Sequence, residues 1–318
     1  MKLIIQIPCY NEEETLGVTY NDLPKSIEGI DCIEYLIIND GSTDNTVKVA
    51  KELGFHHVVS FKRNKGLAKG FMAGIDACLR LGADIIVNTD ADNQYCGADI
   101  EKLVRPILDN KADIVIGERP ISDTEHFSKK KKFFQKLGSG VVRHVSGTDV
   151  PDAPSGFRAY SKEAALRMNV VNEYTYTLET IIQAGHQKCA ITSVKIRTNG
   201  ETRPSRLFSS MWKYMQRSAT VIMRSFIMYK PLRFFFVLGT IFTSIGLILG
   251  IRFLIIFFSA QSGAGNIQSL ILTAIMLIMG FQSFCFGLIG DLHASNRKML
   301  EDIQYRVRKL ELKENEED

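Results

Sequence analysis

Asp84-Ile-Ile-Val-Asn-Thr-Asp-Ala-Asp-Asn-Gln94 is the stretch that decides the fold. Three branched apolar residues run straight into a cluster of side-chain oxygens, the pattern of a buried strand that stops at a functional loop. Similar apolar runs at Leu3–Ile7, Ile33–Ile38, His57–Phe61, Asp113–Ile116 and Ala190–Ile196 read as further strands. Between them, Asn11–Lys25, Thr43–Leu53, Leu67–Leu81 and Ile100–Asn110 carry helical periodicity. Strands alternating with helices of that length predict βαβ units and a mostly parallel sheet, whose ligands bind beyond the carboxyl ends of the strands.

Three of those ends are densely polar: Pro8-Cys-Tyr-Asn-Glu12, Asn39-Asp-Gly-Ser-Thr-Asp44 and Asp90-Ala-Asp-Asn-Gln94. Thr43 and Asp44 read equally well as helix caps. Asp90 and Asp92 do not, because two carboxylates flanking one small residue repel unless a cation lies between them. Mg²⁺ or Mn²⁺ suits such a pair, taking its remaining oxygens from Gln94, water and substrate phosphates. Downstream come Arg119, the run Lys129–Lys132, Arg143, Arg158, Arg197, Arg203 and Arg206. Arginines grip phosphates bidentately, whereas a lysine run is either a solvated face or a patch for anionic headgroups. Asp152, between Pro151 and Pro154, reads as a turn residue or as a group that steers an acceptor.

The chain has 318 residues, with 39 Lys plus Arg against 35 Asp plus Glu, and this net charge of +4 argues against a nucleic-acid binder. Six scattered cysteines without metal-site spacing read as reduced thiols, and the start of the chain lacks a signal-peptide pattern. The last third is different. Phe234–Ile251 is uncharged over 18 residues and Phe253–Gly290 over 38, with Arg252 between them. Two spans are expected, at 232–258 and 269–290, joined by an uncharged loop. Lys230 and Arg233 precede them and Arg297, Lys298, Arg306, Arg308 and Lys309 follow, so the positive-inside rule places both termini in the cytoplasm. The remaining layout is a catalytic domain at 1–205, basic amphipathic juxtamembrane helices at 206–231 and a C-terminal helix at 291–318. That last helix places Leu300, Ile303, Val307 and Leu310 at 3-4-3 spacing, a short seam for a neighbouring subunit or for the domain itself.

Together these motifs, with Asn64-Lys-Gly-Leu-Ala-Lys-Gly70, Ser155-Gly-Phe-Arg158 and Arg197-Thr-Asn-Gly-Glu-Thr-Arg203, resemble membrane-associated GT-A fold glycosyltransferases of family 2 that load a sugar onto a polyprenyl phosphate. The two-span tail looks like that of the bactoprenol glucosyltransferase and polyprenyl-phosphate mannosyltransferase branch. The resemblance implies a Rossmann-like GT-A domain, a multi-pass place in the plasma (inner) membrane with the catalytic domain in the cytoplasm, and a homo-oligomer. By the same resemblance, Pro8, Tyr10, Glu12, Ile38, Asp40, Asp90, Ala91, Arg197 and Arg203 would bind the nucleotide sugar, and Asp90, Asp92 and Gln94 the metal. Asp92 and Arg119 would be catalytic, with Arg158 on the acceptor side. Asp152 joins the catalytic candidates as a group that steers or deprotonates the acceptor, and the basic segment from Phe127 to His144, with Lys129, Lys132 and Arg143, suits capture of the acceptor phosphate. The implied reaction is inverting transfer of glucose from UDP-glucose to undecaprenyl phosphate. GDP-mannose is the alternative donor, and a non-catalytic nucleotide-sugar-binding module the alternative class.

Overall fold

The computed structural model describes residues 1–120, 138–143, 145–171, 176–199, 211–259 and 267–317. Lys129, Lys132 and Arg203 lie outside the described residues, as does most of the expected loop between the spans. The chain divides into two units, Met1–Ile222 with Asp302–Asp318, and Met223–Glu301.

The first unit is built on a seven-stranded sheet. Its strands are β1 (Lys2–Cys9), β2 (Cys32–Asn39), β3 (His57–Ser60), β4 (Ile85–Asn88), β5 (Ile114–Glu118), β6 (Arg158–Ser161) and β7 (Ile191–Lys195), in the order β3-β2-β1-β4-β6-β5-β7. Helices α1 (Leu16–Asp22), α2 (Thr46–Leu53), α3 (Leu67–Arg80) and α4 (Ile100–Leu108) connect the early strands. Leu3, Ile4, Ile5 and Ile7 are all fully buried, so β1 is covered on both faces, which is why it reads as a continuous apolar run without alternation. Helix α1 begins later than its periodicity suggests, because Asn11 adopts a left-handed φ of 57° and Glu12 accepts turn bonds from Thr15 and Leu16.

One strand departs from expectation. β6 pairs antiparallel with both β4 and β5, so the sheet is mixed. Arg-Ala-Tyr-Ser is too short and too polar to announce itself as a strand; its place is set by pairing, with Arg158 opposite both Asn88 and Ile116. Two further helices, α5 (Lys162–Arg167) and α6 (Thr177–His186), flank β6 and β7 in sequence.

In the second unit, the end of α7 (Met211–Tyr229) leads to α8 (Pro231–Ser259), and α9 (Ile267–Glu317) follows. Helix α8 and the first part of α9 are long and apolar enough to cross a membrane. Small residues let them approach: a Cβ on Gly239 would lie 2.8 Å from the Phe284 ring, and one on Gly280 would lie 2.3 Å from the Thr243 hydroxyl. The second span and the C-terminal helix, expected as separate pieces, form one helix, because no proline or glycine interrupts the chain after Gly290. Beyond residue 301 this helix belongs to the first unit. There, Arg308 donates to the carbonyls of Leu166 (3.2 Å) and Met168 (2.6 Å) at the end of α5, and to Asp76 on α3 (2.9 Å). An arginine from a distant part of the chain thus satisfies helix-end carbonyls.

Candidate active site

Parallel pairing of β2, β1 and β4 puts their carboxyl ends on one rim, and the loops that leave it are tied together. The Asn11 amide donates to the Ser42 hydroxyl (3.0 Å), the Thr43 amide to the Asn11 side-chain carbonyl (2.8 Å) and the Glu12 amide to the Thr46 hydroxyl (2.8 Å). Asp44 accepts from the Glu13 amide (3.2 Å) and the Thr46 amide (3.0 Å). Burial pushes its pKa up, but the hydrogen bond from the Thr46 hydroxyl (2.5 Å), together with these amide bonds, outweighs it and holds the carboxyl below its usual range. Asp44 is therefore a clasp between two loops, one residue ahead of the cap position of α2, which Asn45 occupies without a side-chain capping bond.

Around this rim Ile38 is a buried wall, Pro8 is half-buried, Tyr10 is exposed and Glu12 is buried, accepting from the Thr15 hydroxyl (2.9 Å). Asp40 is also buried, and its two oxygens accept the amides of Lys65 (2.6 Å) and Gly66 (2.9 Å). Asp40 thereby folds the 63–66 loop over its own strand end. Gly41 makes this approach possible: its φ is 71°, and a Cβ there would sit 2.5 Å from the Arg63 carbonyl carbon.

The acidic pair lies on the next loop. Thr19 donates to the carbonyl of buried Ala91 (2.9 Å), and the Gln94 amide donates to Asp92 (3.2 Å). Asp90 faces the Ser155-Gly156 backbone so closely that a Cβ on Gly156 would lie 3.4 Å and 3.5 Å from its two oxygens and 3.0 Å from the Tyr176 hydroxyl. Three residues to which the sequence analysis gave no role hold this junction. The Gly156 amide donates to the Tyr95 hydroxyl (3.2 Å), while its carbonyl accepts from Asn88 (2.9 Å) and Tyr176 (3.3 Å). Asn88 also takes a bond from Gln6 (3.0 Å), and the Tyr176 ring stacks on Phe71 at 4.0 Å. Burial, reinforced by the charge of Asp90, pushes the Tyr95 phenol up to about 12 and Tyr176 well above its ordinary value, so both are neutral, Tyr95 accepting from the Gly156 amide and Tyr176 donating to its carbonyl. Only the interruption of an apolar strand by Asn88 could have signalled this network.

The donor set at Asp90 and Asp92 consists of hard oxygens, and among the described residues no cluster of three or more His, Cys, Asp or Glu completes a cage. That combination fits Mg²⁺ or Mn²⁺, which retain positions for phosphate and water, and does not fit a closed structural metal centre.

Of the expected cations, Arg119 is brought together with the carboxylate of Asp152. Arg119 Nε and Nη2 donate to the two Asp152 oxygens at 2.7 Å and 2.9 Å, and the carboxylate is almost fully buried. Arg143, half-buried, comes within only 3.7 Å of the exposed Asp149. Arg158 must be reassigned: expected on the acceptor side, it has no exposed surface, and its guanidinium donates to the carbonyls of Ser155 (2.8 Å) and Ala153 (2.7 Å) and to the Thr180 hydroxyl (2.7 Å). Its position opposite Asn88 in the sheet points the fork into the protein, so it shapes the 153–156 loop that meets Asp90.

Arg197 is drawn to the acidic loop by backbone pairing. The Asn199 amide donates to Gln94 (2.9 Å) and the Cys96 amide to Arg197 (3.4 Å), while Arg197 Nη2 reaches Asp99 at 2.7 Å. Burial raises the Asp99 pKa, but Arg197 and then Lys102 overcome it and bring it down to about 2. A carboxyl depressed in the folded state contributes stability that is present above its unfolded pKa and disappears as pH falls through the folded one. Melting curves should therefore show a stability difference between the parent and Asp99→Asn that is full at neutral pH and shrinks between about pH 4 and pH 2.

A mostly parallel mixed sheet, with an acidic pair and a glycine-bearing loop at the ends of its central strands, is the arrangement of the GT-A fold. Residues 4–167, more than half of the chain, match Glycosyl transferase family 2, and the chain belongs to that family. It is 33% identical over 218 residues to a UDP-N-acetylglucosamine–dolichyl-phosphate N-acetylglucosaminyltransferase of Methanococcus voltae, covering 60% of this chain and 83% of the relative. It is 27% identical to a polyprenol monophosphomannose synthase of Mycolicibacterium smegmatis, over 53% of this chain and 65% of the relative. Among solved structures, glucosyl-3-phosphoglycerate synthase from Mycobacterium tuberculosis with Mn²⁺, UDP and phosphoglyceric acid superposes with a TM-score of 0.55 at 18% identity, covering 71% of this chain and 77% of that one.

Proposed function

We propose that this protein transfers a hexose, glucose from UDP-glucose, to a polyprenyl phosphate, with inversion at the anomeric carbon, on the cytoplasmic face of a membrane that α8 and α9 cross. The observation that carries the reading is the Asp90–Asp92 pair set against the Gly156 loop on the strand-end rim. Relatives that act on dolichyl and polyprenol phosphates support the acceptor class.

In this reading, Asp90 and Asp92 would hold Mg²⁺ or Mn²⁺, which when bound would supply electrostatic stabilisation of a departing diphosphate. Pro8, Tyr10, Glu12, Ile38 and Asp40 form the nucleotide pocket beside Ala91, with Asp40 keeping the 63–66 loop closed over it. Arg119 lies at the end of β5 and presents its cation to phosphate, held in direction by Asp152. The acceptor is a phosphate monoester, already anionic at neutral pH, so Asp152 serves to orient Arg119 and steer the acceptor more than to remove a proton. Catalysis is then mainly positional and electrostatic.

A donor panel tests this. Purified protein, undecaprenyl phosphate and Mn²⁺ should give lipid-linked glucose from UDP-glucose, with loss of the product on chelation. UDP-N-acetylglucosamine is the competing donor, favoured by the Methanococcus relative, and GDP-mannose by the mycobacterial one. A product from either alone would replace glucose while leaving the reaction class in place. Nucleotide binding without transfer from any donor would indicate a binding module.

A further inference from the structure

Tyr95 directly follows Gln94 at the end of the acidic loop, and two further segments meet on it. Its ring stacks on Phe157 at 4.9 Å and 9°, and its hydroxyl accepts the Gly156 amide, so it grips the loop that leads into β6. Its backbone bridges to Thr198, and the Asn199 side chain donates to the carbonyls of Asn93 (3.0 Å) and Tyr95 (3.5 Å), so the segment that follows β7 is gripped as well. Each segment carries charged groups of the site: Asp90 and Asp92 before Tyr95, Arg197 after β7, and Asp152, which holds Arg119, ahead of Gly156. Tyr95 is 7% exposed, and besides burial its phenol feels the charge of Asp90, then of Arg119 and of Asp152. A buried hydroxyl therefore stands within reach of both the acidic pair and the Arg119–Asp152 pair.

We propose that Tyr95 is a positioning residue of the transfer reaction, which through the Gly156 peptide sets the spacing between the Asp90–Asp92 pair and Arg119. The path is short. Tyr95 holds the Gly156 amide while Asn88 and Tyr176 hold its carbonyl, which fixes the plane of that peptide. Asp90 lies against the α-carbon of the same glycine, close enough that even a methyl there would meet both of its oxygens. In the other direction the chain runs back through Ser155, whose amide donates to the Asp152 carbonyl (3.2 Å), to the carboxylate that directs Arg119. Arg158 braces the carbonyls of Ala153 and Ser155 along the way. Residues 152–156 thus form a bridge with Arg119 at one end and Asp90 at the other, and Tyr95 pins the end at Asp90. Without the hydroxyl, the buried Gly156 N–H loses its acceptor and the peptide that supports Asp90 loses its direction. Groups that orient a metal ligand are worth about 10- to 100-fold in metal affinity or activity. This inference deepens the metal and phosphate assignments of the preceding subsection and rests on them.

Tyr95→Phe in the full-length chain tests this, because phenylalanine keeps the stack on Phe157 and the backbone pairing and removes the hydroxyl alone. Mn²⁺ titration followed by electron paramagnetic resonance, with UDP or GDP, whichever the parent binds, should show Mn²⁺ affinity about tenfold weaker than in the parent. At saturating Mn²⁺, kcat should fall by about tenfold while the KM for the sugar donor stays within about threefold. In a chain that already carries Arg119→Gln, the same substitution should cost at most about threefold in kcat, because the spacing it sets no longer matters. Tyr35→Phe is the control: it removes another buried phenol, which donates to the Pro24 carbonyl (2.9 Å), and should lower the melting temperature without changing Mn²⁺ affinity. Parent-like Mn²⁺ affinity in Tyr95→Phe, equal weakening in Tyr35→Phe, or a full tenfold kcat loss in the Arg119→Gln background overturns the proposal. A parent that binds Mn²⁺ and nucleotide but transfers no sugar loses the transfer reading, and Tyr95 is then judged by Mn²⁺ affinity. A parent without Mn²⁺ affinity overturns both.

Discussion

Asp92→Ala should lower the rate of sugar transfer by about 10³-fold and leave the fold intact. The size follows from removing one of the two neighbouring carboxylates offered to a divalent cation, an interaction whose value grows as charge accumulates on the leaving diphosphate. The intact fold follows from position. Asp92 lies half-buried on the loop after β4, outside the apolar core. Removing one of two neighbouring like charges also relieves a repulsion that the protein carries when no metal is bound. Melting in the absence of metal should therefore be unchanged or slightly higher. The parent should gain thermal stability when Mn²⁺ and UDP are added together, and the variant should not, because a ligand stabilises only the state that binds it. Initial rates with a lipid acceptor and paired melting curves read both quantities. Retention of transfer within about tenfold would remove Asp92 from the metal site, since even a single lost transition-state donor costs more than that.

Arg158→Met should lose about 3–5 kcal/mol of stability, the range for breaking a buried charged network by removing one member. The carbonyls of Ala153 and Ser155 and the hydroxyl of Thr180 would then lack their donor in a site closed to water. For a domain of this size the melting temperature should fall by roughly 10 °C. Arg158→Lys should recover only part, since an ammonium cannot reproduce the planar fork that meets these acceptors. Urea or thermal unfolding of the purified chain measures the loss. An unchanged melting temperature with a raised KM for the lipid acceptor would instead return Arg158 to the acceptor-binding role that its motif suggests.

These two residues also show which parts of the site were legible in the sequence. Asp90 and Asp92 stood out because their chemistry is local: two acids one residue apart at the end of an apolar run imply a cation wherever the chain goes. Arg158 was visible as a charge but not as a structural one, because burial depends on the strand beside it. β6 is four residues long and sits between β4 and β5 through antiparallel pairing, a long-range choice with no periodic signature. Asp152 was similarly ambiguous between turn and acceptor role. Its partner Arg119 lies 33 residues earlier, and only the approach of the two loops turns both into a pair.

Spans were expected at 232–258 and 269–290, and helices long and apolar enough to cross a membrane are found within Pro231–Ser259 and Ile267–Glu317. Uninterrupted hydrophobicity over that length leaves few alternatives. What composition could not show was that α9 continues past the second span. Nor could spacing alone decide which face of its end meets the domain, since the 3-4-3 apolar pattern and the Tyr305–Arg308 face are equally periodic.

By itself, the sequence determined the βαβ alternation, the acidic pair, the rim loops and the two apolar helices, because each depends on neighbours within a few residues and on the period of hydrophobicity. Tertiary structure alone decided the reversed strand β6, the closure of Asp40 on Lys65 and Gly66, the meeting of Arg119 with Asp152, the clasp of Tyr95, Asn88 and Tyr176 on Gly156, and the burial of Arg158. Each of these joins groups distant in the chain, and whether a polar side chain faces water, a ligand or a carbonyl is set by what the rest of the fold brings against it.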